Sequence, residues 1–241
     1  MSKIILSLMF VIFSLNANNL KEHKYTIEKV KKTEAKINKG SLIIGQSGIV
    51  VHNFSNNKSI ILTKAVVTSS SKNTSIIEFV NSEILKQDSI VNTNLKPQNG
   101  DDFILNHLHN ISLLIAPNYD AYRGAKHNFS NNFIDIELFA AYLKINNTPV
   151  PKKEDFQKFM NKNNIGTLYV IIKKKLYIID ALSFKTLLRI NIKLNNTKTT
   201  IPFYTNVKGI KTSTFDWTSD EKIKDYNTYY SKLLGLKDDR K

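Results

Sequence analysis

The chain has 241 residues, in which 35 lysines and arginines against 20 aspartates and glutamates give a formal net charge of +15. It has no cysteine, which excludes disulfides, a thiolate metal site, a cysteine nucleophile and a lipid anchor on cysteine. Only Arg123, Arg189 and Arg240 are arginine, so the charge lacks the bidentate forks that read phosphates and guanine edges, and a nucleic-acid partner is not expected.

The chain opens with Lys3 and the apolar run Ile4 to Leu15, followed by the small residue Ala17. That order of charge, apolar run and small residue is an export signal over residues 1–17. An uncleaved anchor is the other reading, but a spanning helix needs about 20 apolar residues and this run is shorter. No later segment is apolar enough to span, so no transmembrane segment is expected after cleavage. An exported domain without disulfides must be held by its core. That fits the periplasm or outer surface of a Gram-negative bacterium better than a eukaryotic secretory route. The lysine-rich surface would be drawn to anionic head groups, glycans or acidic proteins in a salt-dependent way.

From Tyr25 to Leu105 the pattern is that of strands. Tyr25 and Ile27, then Ala35 and Ile37, open it before a turn at Lys39-Gly40. Gly45-Gln46-Ser47-Gly48 is a bend leading into Ile49-Val50-Val51, and Ser55 to Lys58 is a hairpin turn. Ile60 to Thr68 and Ser75 to Val80 are β-branched runs on either side of a polar turn. Pro97 to Asp101 punctuates entry into Phe103-Ile104-Leu105. Short strands with glycine corners predict a small barrel, SH3-like, over residues 18–106.

After Ile111 the period changes. Ser112 to Ala116 reads as a buried strand stopped by Pro117, and Tyr119 to Phe129 as a helix. Asp135 can cap a helix with Leu138, Phe139, Tyr142 and Leu143 on one face, ended by Asn146-Asn147. Pro151 suits the first turn of the next helix, with Phe156, Phe159 and Met160 as its stripe and Asn163-Asn164 as its end. Thr167 to Ile172 and Leu176 to Ile179 then form a hairpin about Lys173-Lys174-Lys175, and Ser183 to Ile192 continues the strand pattern. Ser219 or Asp220 can cap a last amphipathic helix carrying Ile223, Tyr226, Tyr230, Leu233 and Leu234, stopped by Gly235. The fold class expected is α+β. A β-barrel-type domain precedes an α/β domain of strand, two helices and hairpin over residues 107–241, which includes the C-terminal helix and a charged tail.

Few residues suggest chemistry. Gly45 to Gly48 is no nucleophile elbow, since Ile49 stands where glycine is needed, and no Gly-Lys-Ser/Thr follows to make a phosphate loop. His107 and His109 would share one face of a strand, but no third ligand accompanies them, so no metal site is expected. Asp216, Asp220 and Glu221 beside Trp217 read as helix N-terminal acids and a core anchor. Asp180 reads as a turn former. No catalytic residue and no cofactor are expected.

Gly40 to His52 resembles the opening of the N-terminal domain of the plasminogen-binding proteins of Helicobacter-type and Campylobacter-type bacteria. Leu95 to Asp101, Leu113 to Asn118, Phe139 to Asn147, Lys153 to Phe159, Asp180 to Lys185 and Asp225 to Leu236 resemble the same family in order. The resemblance implies an exported, non-enzymatic protein that binds host plasminogen through lysines. Lys241 is the candidate contact, because kringle modules recognise an ammonium and a carboxylate held apart on an apolar stem. Family members extend into a long lysine-rich tail that this sequence does not include. The competing expectation is a periplasmic flagellar or envelope assembly protein, similar in layout to the flagellar protein T family, on fold-level analogy alone.

Overall fold

The computed structural model describes residues 20–55, 58–80, 95–208 and 223–236. The chain divides into two compact units, Met1–His109 and Asn110–Lys241, and the fold is mixed α+β. The signal segment, Trp217 with its neighbouring acids, Ser219 and Lys241 lie outside the described residues.

The first unit is a closed antiparallel barrel of six strands. They are β1 (His23–Glu28), β2 (Glu34–Ile37), β3 (Ser47–Asn53), β4 (Ser59–Ser70), β5 (Ser75–Val80) and β6 (Asp102–Leu105). Around the barrel they run β1-β2-β5-β4-β3-β6, and β6 pairs with β1 to close the ring. Alternation decides which side chains turn inward, so Ile27, Ile37, Val50, Val67, Ile77 and Phe103 fill the interior.

Closure requires β3 and β6 to meet tightly, with Gly48 opposite Leu105. A Cβ at Gly48 would overlap the carbonyl of Ile104 and come 2.7 Å from the Phe103 ring. Ser47 is therefore the first residue of a barrel strand, and the glycine after it is there for close approach. The bend from Pro97 is held by Asp101, whose carboxylate accepts from the Gln98 backbone N–H at 2.9 Å. His107 and His109 are in the turn that follows β6 rather than on a strand. The shared strand face expected for them does not form, because Asn106 and Leu108 take left-handed backbone at φ 60° and 65°.

The second unit is a five-stranded sheet in the order β11-β10-β9-β7-β8. The chain runs β7 (Ile111–Ile115), α1 (Tyr119–Asn128), β8 (Asn132–Phe133), α2 (Ile136–Ile145), α3 (Lys153–Lys162), β9 (Thr167–Ile172), β10 (Lys175–Asp180), β11 (Thr186–Asn191) and α4 (Tyr226–Leu233). Strand β7 is parallel to both β8 and β9, and β9, β10 and β11 form an antiparallel meander. All six residues of β9 are buried, as a parallel strand covered on both faces requires. Phe139 of α2 packs against Phe156 and Phe159 of α3 at ring-centre distances of 4.7 and 5.0 Å.

Local chemistry sets the helix ends. The Asp135 carboxylate accepts from Glu137 N–H at 3.1 Å. Asn147, Asn164 and Gly235 take left-handed φ of 55°, 53° and 63° just past α2, α3 and α4. Each helix end is closed by a six-to-one backbone bond, for example Leu236 N–H to Ser231 O at 2.9 Å. Three boundaries differ from expectation. Pro151 precedes the helix instead of entering its first turn, because Asp155 accepts from the Lys152 backbone N–H at 2.8 Å and fixes the start there. Lys175 is the first residue of β10 rather than part of the turn. The last helix begins at Tyr226, not after Ser219 or Asp220, because Asp225 caps it by accepting from Thr228 N–H at 2.8 Å.

Gly48→Ala should lower the unfolding free energy by about 3 kcal/mol, since strand β6 cannot yield without opening the barrel. A fall in the urea midpoint at unchanged slope would show it, and a wild-type midpoint would remove Gly48 from barrel closure.

Candidate functional site

Parallel β7 ends at Ile115 opposite Val170, β9 runs on to Ile172, and a pocket of about 460 Å³ opens there. Its apolar wall is Pro117, Ile172, Tyr177, Leu194 and Leu236. The tip of the β9–β10 hairpin puts Lys173, Lys174 and Lys175 on its rim, and Asn196, Thr197, Thr199, Asn227 and Ser231 supply polar groups. None of these lining residues is a carboxylate.

Three elements hold the pocket in place. The hairpin turns on two residues, Lys173 and Lys174, between Ile172 and its partner Lys175. Lys173 has φ 52°, a backbone that costs a side-chain-bearing residue roughly 1 kcal/mol. Its N–H is held by the Asn227 side-chain carbonyl on α4 at 2.8 Å. Helix α4 is anchored in turn by Tyr226, whose buried hydroxyl donates to Ile171 O at 2.8 Å. Burial pushes the hydroxyls of Tyr226 and Tyr230 well above the ordinary tyrosine range. The third element is the 193–199 segment. Asn118 accepts from Ala121 N–H at 2.9 Å to cap α1, while its amide donates to Asn196 O at 3.2 Å and Lys198 O at 2.6 Å. One side chain thus starts a helix and fixes the opposite wall.

Asp225 sits beside this site without lining it. Hydrogen bonds from the Thr228 hydroxyl and backbone hold its carboxyl below the usual range, and the Lys173 charge adds to the effect.

The residues singled out from sequence have other positions. Asp180 is fully buried and accepts from the N–H groups of Leu182 and Ser183, each at 2.9 Å, as a turn former does. His107 faces Glu22 at 3.2 Å, and His109 is buried in its turn. Among the described residues no group of three or more His, Cys, Asp or Glu is placed to hold a metal ion. Sequence reasoning missed His52, which meets the buried Asp101 carboxylate at 2.7 Å and braces the barrel bend. It also missed Asn118 and Asn227, whose partners lie far along the chain. The lysine run was visible, but only as a turn. Among the described residues no helix is long and apolar enough to cross a membrane.

The molecule is therefore a two-unit α+β domain carrying a basic, apolar-walled pocket at parallel strand ends. It belongs to the family described as plasminogen-binding protein pgbA N-terminal, whose model matches residues 22–234. It is 28% identical over 196 residues to plasminogen-binding protein PgbA of Helicobacter pylori strain J99, a match that covers 80% of this chain and 43% of that protein. Against the protein of the same name from strain 26695 the identity is also 28%, covering 80% and 42%. The chain thus spans less than half the length of these relatives. No solved structure matches it.

Asp225→Ala should cost about 1 kcal/mol of stability near neutral pH through loss of the α4 cap. Because the folded-state pKa of Asp225 is depressed, its ionic contribution is full above the unfolded value and fades as pH falls through the folded one. The gap between wild-type and variant urea midpoints should therefore narrow in acid. A gap that stayed constant would assign the effect to packing.

Proposed function

We propose that this domain binds host plasminogen through lysine side chains, from an exported position in the periplasm or on the outer surface of the cell envelope, and that it does so without catalysis. The match to the family over residues 22–234 carries the reading, because the relatives found are named as plasminogen-binding proteins. The charge supports it: Lys173 and Lys174 are exposed on a two-residue turn, where an ammonium can enter a kringle's acidic pocket without unfolding a strand. Lys241 is the contact expected from sequence, and the hairpin lysines are the internal alternative. The apolar run at residues 4–15 is the support for export.

Immobilised plasminogen separates these contacts when the mature chain is measured with and without 6-aminohexanoate. Three variants are compared with it: Lys173→Asn with Lys174→Ser, Lys241→Ala, and all three changes combined. Binding should fall by at least about tenfold with the lysine analogue, a loss of roughly 1.4 kcal/mol. The variant that reproduces that loss identifies the contact. Absence of binding at physiological ionic strength would overturn the plasminogen reading and favour a periplasmic assembly role.

A further inference from the structure

We propose that the pocket at the carboxyl ends of β7 and β9 is a binding site for a small amphipathic carboxylate, an anionic head on an aliphatic or aromatic body. The inference rests on the pocket and needs no plasminogen.

Topology is the first argument. From β7 the chain leaves through α1 to β8 on one side, whereas β9, on the other side of β7, leaves through the hairpin to β10. Connections departing in opposite directions from two parallel neighbours open a crevice at their carboxyl ends, the place where open α/β sheets hold ligands. The Tyr226 hydroxyl reaches both strand ends, Ile171 O at 2.8 Å and Ile115 O at 3.5 Å, so the crevice has a fixed floor.

The lining selects the ligand. A volume of about 460 Å³ falls in the range of small-molecule sites. Ile172, Leu194 and Leu236 offer an apolar body-binding wall, and a strongly hydrated ion without a hydrocarbon part would gain nothing from them. Among the described residues the rim carries lysine cations and no acid, a setting that suits a ligand with a negative end. Thr197, Thr199 and Ser231 add hydroxyls that can donate to an anion. Among the described residues no arginine lines the pocket, and lysine gives a point charge instead of the planar fork that suits phosphate and sulfate esters. Lys173 and Lys174 are exposed on the turn and Lys175 follows them on the rim, so the charged end of the ligand meets ammonium groups on one side of the pocket. A monovalent carboxylate on a hydrocarbon body meets each of these conditions.

The turn geometry allows a clean test. Asparagine adopts left-handed backbone more readily than lysine, so Lys173→Asn suits the turn it occupies. Lys174→Glu then reverses a second rim charge at an exposed position, with Lys175 left in place. Calorimetric titration of the mature chain would use octanoate, the neutral octanamide, acetate and inorganic phosphate. Octanoate is expected to bind at one site per chain, with octanamide and acetate each weaker by about tenfold or more. The Lys173→Asn/Lys174→Glu double variant should bind octanoate at least about tenfold more weakly, at an unchanged urea midpoint. Leu194→Asn, which spoils the wall and leaves the rim intact, should weaken octanoate and leave any acetate binding as it was. Equal affinity for octanamide and octanoate would overturn the proposal, because charge would then play no part. So would wild-type binding by the double variant, displacement of octanoate by phosphate at equal concentration, or no octanoate binding at all.

Discussion

The parallel pairing of β7 with β9 is the contact on which the second unit depends. Ser112, Leu113, Leu114 and Ile115 stand opposite Thr167, Leu168, Tyr169 and Val170. Parallel neighbours cannot be joined by a tight turn, so the chain between them must travel the length of the sheet and return. It does so through α1, β8, α2 and α3, and the apolar stripes of those helices need a sheet to cover. The hydroxyls of Ser112 and Thr167, buried at the start of both strands, satisfy each other at 2.7 Å. At the far end the same pairing leaves two carboxyl termini side by side, and the pocket follows from that.

Barrel closure plays the corresponding part in the first unit. Apart from the 12-residue β4 the barrel strands are short, and an open sheet of them would leave two edges free to pair with other chains. The bond between β1 and β6 removes both edges. It is possible only because the backbone at Gly48 can approach Ile104 without a side chain between them. A bend braced by Asp101 on His52 and Gln98 delivers β6 into place between β1 and β3.

The lysine excess has a local meaning beyond its bulk charge. Spread over an exposed surface, most of these cations are hydrated and contribute little to stability. At the β9–β10 turn they stand over an apolar wall, with no acid among the described lining residues. There a charge can be used for recognition, since an arriving anion loses less water to competing ions than on an open face. The two proposals share this chemistry: each would use lysine ammonium groups, one for a protein partner and one for a small carboxylate.

By itself the sequence determined whatever depends on near neighbours. Asp135 before its helix, the Asn-Asn pairs after two helices and Gly235 after the last were legible because a cap or a left-handed residue acts within one turn of chain. The bounds of β5 and β9 were legible because β-branched and apolar runs stop at polar turns. The family was legible from short motifs in order, which fall on turns and strand ends in the barrel and on whole helices in the second unit. The start of α4 was misread because three acceptors stand in series, and only the packing of Tyr226 under β9 selects Asp225. Tertiary structure alone decided barrel closure and strand order, because each strand's partner is set by the whole ring. It also decided the pocket, whose walls come from residues 117, 172–177, 194–199 and 227–236. No local pattern relates those segments, since what joins them is Asn118 reaching residues 196 and 198 and Asn227 reaching the Lys173 N–H. Hydrogen bonds of that span leave no periodicity in a chain, so the lysine turn was visible in the sequence and the site it overlooks was not.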